Sequence, residues 1–335
     1  MTTLPLTHLI ALTTPLGVHE HALGAVPREE HGYCTDDVAR ALRVVVLDPE
    51  PDEAERALAR GYLGFLVDAA HDDGSLHNRR NPDGTWGDES STGDHWGRAV
   101  HALGTVAARA TDPQLAARAR GAARAAMAAR SAWPRSMAYA ALGAAEVLAV
   151  SPDDLVARRL VMDARRLLRP AGPDEWPWPE PALHYANAVI PEAMIVLGRL
   201  LDSEPLRRDG LRLLRWLVDI QTLDGHLSVV PAGGRRPGET GPAFDQQPIE
   251  AGTLAEACAT ALAETGDPAW LDAVGMCAAW FEGDNDIRLP MRDPVTGAGF
   301  DGLEPTSVNR NQGAESTLAW LRTLQMAAAT GLVAA

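Results

Sequence analysis

Residues 93–113 of the chain read GDHWGRAVHALGTVAARATDP. The stretch opens on polar residues, continues with apolar residues at the i, i+3, i+4 spacing of an amphipathic helix, and stops at a short turn. Asp112-Pro113 in that turn is a helix-start signal, because the Asp side chain caps free backbone N–H groups and Pro fits the first helical turn. The stretch therefore predicts one helix from Asp94 and a second helix from Asp112.

The same alternation runs through nearly the whole chain. Short turns with Pro are separated by long connections rich in Gly, Asp, Asn, Trp and His, and the connection at Trp133-Pro134 is the short exception. The long connections are 71–93, 171–184, 221–247 and 284–312. Helices are predicted to begin near Asp36, Asp52, Asp94, Asp112, Arg135, Ser151, Tyr185, Glu204, Pro248, Asp267 and Gly313. The repeat of roughly fifty residues is typical of paired helices. It predicts a single all-helical domain over residues 1–335, with inner helices after the long loops, and leaves open whether residues 4–24 supply a further helix.

Composition and charge exclude several function classes. Hydrophobic residues make up 46% of the chain, enough for a large core, and the abundance of Ala and Leu favours helices. The net charge of −15 repels phosphate backbones, so no nucleic-acid partner is expected. Neither a polybasic patch nor an apolar run of about 18 residues points to a membrane. Residues 1–16 lack the basic and apolar regions of a signal peptide, and we expect a cytoplasmic protein. Three scattered cysteines do not predict a zinc site, and neither a metal nor a cofactor is expected.

Polar clusters occupy the predicted starts of the inner helices, where acids, amides, Arg, His and aromatic residues adjoin apolar segments. Such a mixture suits a neutral sugar, whose hydroxyls take hydrogen bonds while its ring lies on flat apolar faces. The side chains predicted to bind substrate are His31, Tyr33, Asp36, Arg40, Asn78, Arg79, Trp96, Arg98, Trp176, Trp178, Tyr185, Asn187, Asp245, Gln246, Gln247, Asn309, Asn311 and Gln312. Among them, Trp176 and Trp178 are expected to form a rigid stacking platform in a Pro-rich acidic loop.

Helix capping is the alternative interpretation of the acids. Asp36, Asp94 and Asp245 could each cap a helix or favour the positive end of its dipole. Glu250 and Glu315 also fall in first helical turns, where carboxylates are common. Capping does not explain why six polar clusters follow six connections, and the pattern therefore favours a ligand site.

Several long motifs resemble a family of bacterial six-hairpin proteins that are often fused to, or found beside, glycosyltransferases. The motifs are HGYCTDDVARAL at 31–42, FDQQPIEA at 244–251 and NRNQGAEST at 309–317. Shorter matches are Asn78-Arg79, Asp94 with Gly97-Arg98-Ala99, Trp176 to Glu180, Tyr185 with Asn187-Ala188, and Asp301-Gly302-Leu303. The resemblance spans almost the whole chain and implies an all-α (α/α)6 toroid similar to the six-hairpin glycosidases, with a glycosyltransferase as a possible neighbouring partner.

The chain departs from the family pattern at a few positions. Val38 stands where Asn is usual, His95-Trp96 varies the segment before Gly97, and Pro179 replaces an aromatic residue before Glu180. These changes affect the expected substrate and not the expected fold. Family members are frequently labelled glycosyltransferases, but this chain has no Gly-rich nucleotide-binding fingerprint, so transferase activity is not expected.

The first functional hypothesis is an inverting glycoside hydrolase acting on an oligosaccharide or polysaccharide. Its chemistry needs one protonated carboxylic acid and one carboxylate that activates water, about 6.5–9.5 Å apart. Glu180 is the predicted acid, because its Trp-Pro surroundings are expected to desolvate it. Asp37 or Asp94 is the predicted base, beside Arg40 and Arg98, and Glu250 and Glu315 are held in reserve.

Three other functions stay open. A sugar epimerase or isomerase on the same toroid would use His as acid and base, with His31, His184 and His226 available. A non-catalytic glycan-binding module serving a glycosyltransferase would need the Trp rims but not paired carboxylates. A terpene-cyclase-like barrel is suggested by Gln221 to Gly225 and Asp83 to Trp86, but the low aromatic content argues against it.

Overall fold

The computed structural model describes residues 4–169, 173 and 175–332. Twelve α-helices make up most of this part of the chain. They are α1 (Thr7–Leu12), α2 (Thr35–Val46), α3 (Glu53–Asp68), α4 (Asp94–Arg109), α5 (Pro113–Ala126), α6 (Pro134–Val150), α7 (Leu155–Leu167), α8 (Val189–Leu200), α9 (Glu204–Ile220), α10 (Pro248–Thr265), α11 (Pro268–Phe281) and α12 (Ala314–Ala329). Among these residues, none of the helices is long and apolar enough to cross a membrane.

Ten strands of two residues each form short ribbons in the connections. They are β1 (Thr13–Thr14), β2 (Gly17–Val18), β3 (Ala22–Leu23), β4 (Val26–Pro27), β5 (Tyr33–Cys34), β6 (Arg79–Arg80), β7 (Thr222–Leu223), β8 (His226–Leu227), β9 (Gly302–Leu303) and β10 (Val308–Asn309). The ribbon β5–β6 is antiparallel and joins the segment before α2 to the long connection before α4. The long connections are therefore partly ordered by backbone pairing.

The chain divides into two compact units. The α2–α7 unit comprises Leu12–His21 and Pro27–Leu168, and the α8–α12 unit comprises Met1–Ala11, Ala22–Val26 and Arg169–Ala335. Each unit is described by itself below, and the single domain expected from the sequence stays a prediction.

In the α2–α7 unit, α4 lies between α2 and α6 and is buried along nearly its whole length. Helices α4 and α6 pack backbone against backbone, because glycines occupy the contact. A Cβ added at Gly104 would lie 2.1 Å from the Gly143 carbonyl oxygen, and one at Gly97 would lie 2.3 Å from that of Ser136. This close approach brings the first turns of α4 and α6 together, whereas α3, α5 and α7 bury one face each.

The α8–α12 unit repeats the arrangement. Helix α10 is buried over most of its length and contacts α8 and α12, while α9 and α11 pack outside α8 and α10. Gly252 of α10 faces Ala319 of α12, and a Cβ at Gly252 would lie 3.1 Å from the Ala319 side chain. Helices after long loops are thus the inner ones, as the loop lengths predict.

The helix starts differ between the two classes. Four outer helices carry an Asp whose side chain caps the helix, namely Asp52, Asp112, Asp154 and Asp267. The fifth outer helix, α9, begins at Ser203 without a side-chain cap and has Pro205 in its first turn. None of the six inner helices in the described chain has a side-chain cap, their N-cap residues being Cys34, Gly93, Trp133, Ala188, Gln247 and Gly313.

The predicted helix starts agree with the structure to within four residues. Two differences have local causes. Helix α7 begins at Leu155 rather than near Ser151, because Asp154 caps the N–H groups of Val156 and Ala157. Helix α8 begins at Val189 rather than at Tyr185, and Ala186 in between has a positive φ of 47°, which a right-handed helix cannot contain.

Residues 4–24 supply one short helix. They form the short helix α1 followed by the β1–β2 hairpin. Part of the predicted connection 171–184, residues 171, 172 and 174, lies outside the described residues.

Candidate active site

The starts of α2, α4 and α6 are joined by side-chain contacts in the α2–α7 unit. Arg98 Nη1 of α4 donates to Asp36 Oδ1 of α2 at 2.5 Å. Ser136 Oγ of α6 donates to Asp94 Oδ1 of α4, also at 2.5 Å. The Arg98 guanidinium lies 4.9 Å from the ring centre of Tyr139. Asp36 and Asp94 therefore bond to neighbouring helices instead of capping their own.

The charge state of Asp36 follows from these contacts. Burial raises the pKa of its carboxyl, but the positive charges of Arg98 and Arg40 outweigh burial and hold the pKa below its usual value. Tyr139 shows the opposite balance, since burial raises the pKa of its phenol although Arg98 and Arg40 lower it. The cluster presents an ionised carboxylate beside a protonated phenol at neutral pH.

Asp37 is fixed through both oxygens. Arg40 Nη1 donates to Asp37 Oδ1 at 2.5 Å, and the Cys34 thiol donates to Asp37 Oδ2 at 3.0 Å. Burial and the charges of Asp37, Glu20 and Asp36 raise the pKa of the Cys34 thiol well above its usual value.

Glu20, Cys34 and Asp37 form the group in the described chain whose ligand atoms are close enough to share a metal ion, all lying within 4.8 Å of one another. The two carboxylates of this group contact Arg79 and Arg40, and the Cys34 thiol donates to Asp37.

The inner helices of the α8–α12 unit also meet through polar contacts. Asn187 Nδ2, just before α8, donates to Glu250 Oε2 in the first turn of α10 at 2.8 Å. Both side chains are buried, and Asn187 Oδ1 in turn accepts from the backbone N–H of His184. Asp301 Oδ1 accepts from the Gly313 N–H at 2.8 Å and from Ser316 Oγ at the start of α12.

Asp245 lies beside this second cluster. The peptide bond between Phe244 and Asp245 is cis. The residue as a whole is exposed, but its carboxylate lies on the backbone of Gly302, where a Cβ would be 2.3 Å from Asp245 Oδ1. Desolvation raises the pKa of Asp245, and the negative charges of Glu304 and Asp301 raise it further. Asp245 is thus a carboxyl group that keeps its proton to higher pH than an ordinary Asp.

A buried network centred on Asp286 holds the two long loops of this unit together. His226 Nε2 and Ser228 Oγ donate to the two carboxylate oxygens of Asp286, at 2.9 and 2.7 Å. Gln246 Nε2 donates to Asp286 Oδ2 at 2.5 Å, and its Oε1 accepts from Trp280 Nε1. The backbone of Gln246 pairs with Leu303 in both directions. The network therefore fixes the residue next to Asp245.

Comparisons with known proteins supply fold information only. No protein-family model matches the chain, and no curated protein matches it. Among solved structures, a sugar epimerase from a ruminal bacterium superposes with a TM-score of 0.72 at 12% identity, covering 98% of this chain and 95% of that one. The cellobiose 2-epimerase of Bacillus thermoamylovorans gives the same score and identity, covering 98% and 96%. A cellulase of C. cellulolyticum in complex with cellobiose superposes with a TM-score of 0.59 at 10% identity, covering 93% and 87%.

The chain has the (α/α)6 toroid fold. The expected all-α class and the resemblance to six-hairpin glycosidase-like proteins are confirmed at the level of fold. Identities of 8–14% carry no information about substrate or reaction.

Three Trp residues predicted to bind substrate, two of them as a stacking platform, are buried. Trp96 is fully buried, and its indole N–H donates to the carbonyl of Ala126 at 3.1 Å. Trp176 and Trp178 are 9% and 1% exposed and pack against Trp216. The predicted Trp platform is therefore corrected to a packed aromatic cluster, because both rings are buried against Trp216.

The predicted amides mainly order the loops. Asn311 Oδ1 accepts from the Gly24 N–H, and Asn309 Oδ1 accepts from the Asn311 N–H. Gln312 bonds to Thr296 and Asp293, and Gln246 belongs to the Asp286 network. Their predicted substrate contacts stay predictions.

The remaining predicted residues fall into two groups. Tyr33 is buried on His19, His31 is exposed, Asn78 is half-buried and Arg79 pairs with Glu20, all in the α2–α7 unit. In the α8–α12 unit, Glu180, Tyr185, Gln247 and Glu315 are half-buried. Their substrate contacts and catalytic roles stay predictions.

Sequence reasoning missed several residues of the clusters. Ser136, Tyr139 and Gly143 of α6 follow the i, i+3, i+7 spacing of one helix face, so their common orientation could have been found. Glu304 and Asp286 could not have been found, since they reach Asp245 and Gln246 from connections 40 to 60 residues away.

Proposed function

We propose that the protein is a carbohydrate-active enzyme, specifically a glycoside hydrolase that cleaves a neutral oligosaccharide or polysaccharide with inversion. The observation that carries the proposal is the contrast between helix starts. Outer-helix acids cap their own helices, whereas Asp36, Asp94 and Glu250 bond across to neighbouring inner helices. Within each unit, carboxylates fixed in this way fit a site in which polar groups contact a ligand.

We assign the general acid to Asp245 in preference to Glu180. Asp301 ties the start of α12 to the segment that carries Gly302, and the Asp245 carboxylate lies on Gly302. This places Asp245 near the first turn of α12, where Glu315 is half-buried. A general acid must be protonated at working pH, and the raised pKa of Asp245 supports that role.

The reaction needs a base as well. Glu315 and Glu250, the acids in the first turns of α12 and α10, are the candidate bases. Asp245 would donate its proton to the leaving glycosidic oxygen while the base takes a proton from water, which attacks the anomeric carbon. Asp37 and Asp94, the bases predicted from sequence, already accept hydrogen bonds from Arg40 and Ser136.

The assignment predicts a dependence on the leaving group. Asp245→Asn should lower kcat on an unactivated oligosaccharide by about 10²–10⁴, the usual contribution of general acid catalysis. The loss should be much smaller on a nitrophenyl glycoside, whose leaving group departs without protonation. Glu304→Gln is the matched control. Removing its charge lowers the pKa of Asp245, so the alkaline limb of the kcat profile should move to lower pH while activity persists. Equal losses on both substrates would contradict the assignment.

A sugar epimerase on the same toroid is the second candidate, and two sugar epimerases share this fold, with TM-scores of 0.72 over 98% of this chain. Such an enzyme would move a proton at the carbon beside a reducing-end carbonyl and release no new reducing end. Of the three histidines considered for this role, His226 is bound to Asp286, while His31 and His184 are exposed. A glycosyltransferase partner and a cytoplasmic location stay predictions.

A further inference from the structure

One tryptophan differs from all others in its exposure. The chain has nine Trp residues, and eight of them are buried or half-buried. Trp133 is 68% exposed. Single exposed aliphatic side chains are common on protein surfaces, but a large aromatic ring in water is characteristic of binding sites.

The backbone holds Trp133 in one conformation. It is the N-cap residue of α6, with extended φ and ψ of −91° and 126°, and Pro134 follows it. Its N–H donates to Ser131 Oγ at 3.2 Å, and its carbonyl accepts from the Met137 N–H at 3.1 Å. Pro at the next position also restricts the backbone of the residue before it. The backbone of Trp133 is thus held in place while its ring is mostly exposed.

Trp133 adjoins the polar cluster of the α2–α7 unit. Ser136, three residues along the chain, donates to Asp94, and Tyr139, one turn further, lies under Arg98. A flat apolar face near hydrogen-bonding carboxylates and a guanidinium is a combination found in small-ligand sites. The flatness of the ring matches the face of a pyranose, where axial C–H bonds form an apolar surface.

We propose that Trp133 is a stacking site of the α2–α7 unit for a neutral pyranose ring. The proposal deepens the glycoside hydrolase assignment and rests on it for the identity of the substrate. A neutral sugar is preferred to a uronic acid, because the chain carries a net charge of −15 and the cluster contains several carboxylates.

The test measures binding and turnover separately. Cellotriose, maltotriose and mannotriose are titrated into wild type and into Trp133→Ala, Trp133→Leu and Trp133→Tyr, with saturation-transfer NMR identifying the bound protons. Leu155→Ala is the control, since Leu155 is 65% exposed at the first turn of the outer helix α7. We expect about tenfold weaker binding of one trisaccharide by the Ala and Leu variants and near-wild-type binding by the Tyr variant. Leu155→Ala should bind like wild type.

The outcomes separate this inference from the proposed function. Weaker binding without any hydrolysis by wild type would support the stacking site and overturn the hydrolase. Hydrolysis with an unchanged KM in Trp133→Ala would overturn the stacking site and leave the hydrolase standing. A wild type that binds none of the three sugars, or a change of oligomeric state in Trp133→Ala with sugar binding unaltered, would also overturn the stacking site. The latter result would assign Trp133 to a protein interface.

Discussion

Asp36 is a carboxylate beside two guanidinium groups, those of Arg98 and Arg40. Its side chain is only 18% exposed, and that of Arg98 is 6% exposed. Burial opposes ionisation, and the two cations reverse the outcome, so Asp36 depends on its partners for its charge. A carboxylate of this kind contributes to stability only while the ion pair is complete.

Removing one partner should expose that dependence. Arg98→Met leaves Asp36 without its hydrogen-bonded cation. The free energy of unfolding at pH 7 should therefore fall by about 3 kcal/mol, the low end of the range for breaking a buried ion pair. Asp36→Asn added to Arg98→Met removes the uncompensated charge and should recover part of the loss. Urea denaturation measures both. A double variant less stable than Arg98→Met would contradict this account of the pair.

The same pair sets a pH dependence. The folded pKa of Asp36 is depressed, so its contribution to stability is present above its unfolded pKa of about 3.9 and is lost as pH falls through the folded value. Wild type should therefore lose more stability below about pH 4 than Asp36→Asn does, provided both are compared with their own neutral-pH values. Equal losses of stability in wild type and Asp36→Asn would mean that other groups cause the pH dependence.

At the level of elements, the inner and outer helices use their acids differently. Asp112 caps α5 by accepting from the N–H groups of Gln114 and Leu115. Asp94 opens α4 but accepts from Ser136 of α6. Asp112→Ala should therefore cost about 1 kcal/mol of stability without changing turnover. Asp94→Asn should change stability little and lower turnover at least about tenfold, if the inner acids form the site. Equal effects of the two variants on turnover would contradict the distinction.

The α4–α6 contact depends on glycine. A Cβ at Gly143 would lie 2.2 Å from the Val100 carbonyl oxygen, so Gly143→Ala must separate the two helices. The free energy of unfolding should fall by about 1–3 kcal/mol. Gly121 of α5 has open space around its Cβ position, and Gly121→Ala should be stabilising by about 0.5–1 kcal/mol. Thermal unfolding of both variants tests this pairing. A Gly143→Ala protein as stable as wild type would mean that the helices are not held this closely.

The sequence predicted elements better than it predicted the roles of their side chains. Turn chemistry such as Asp112-Pro113 marks helix starts locally, and helices follow from local signals. The exposure of a side chain depends on residues that are distant in sequence. Trp176 and Trp178 are therefore predicted at a rim from their own loop, but they pack on Trp216. The raised pKa of Asp245 was equally out of reach, because Glu304 approaches it from a distant loop.

At the level of the whole molecule, the toroid fold accommodates epimerases, an isomerase and cellulases, as the described structural neighbours illustrate. The fold therefore does not select the reaction. Selection must come from the groups at the inner helix starts, and the raised pKa of Asp245 is the feature on which the proposed hydrolase depends.

The most direct test is an NMR time course of the purified protein with α- and β-linked gluco- and manno-oligosaccharides, run in parallel with Asp245→Asn. The hydrolase proposal predicts new reducing ends that appear first as the anomer opposite to the substrate linkage, and their formation at least about 10²-fold more slowly in Asp245→Asn. Conversion of the reducing-end sugar to its C2 epimer without cleavage would contradict hydrolysis and establish the epimerase. Line broadening of one sugar without any product would contradict both and leave a glycan-binding module.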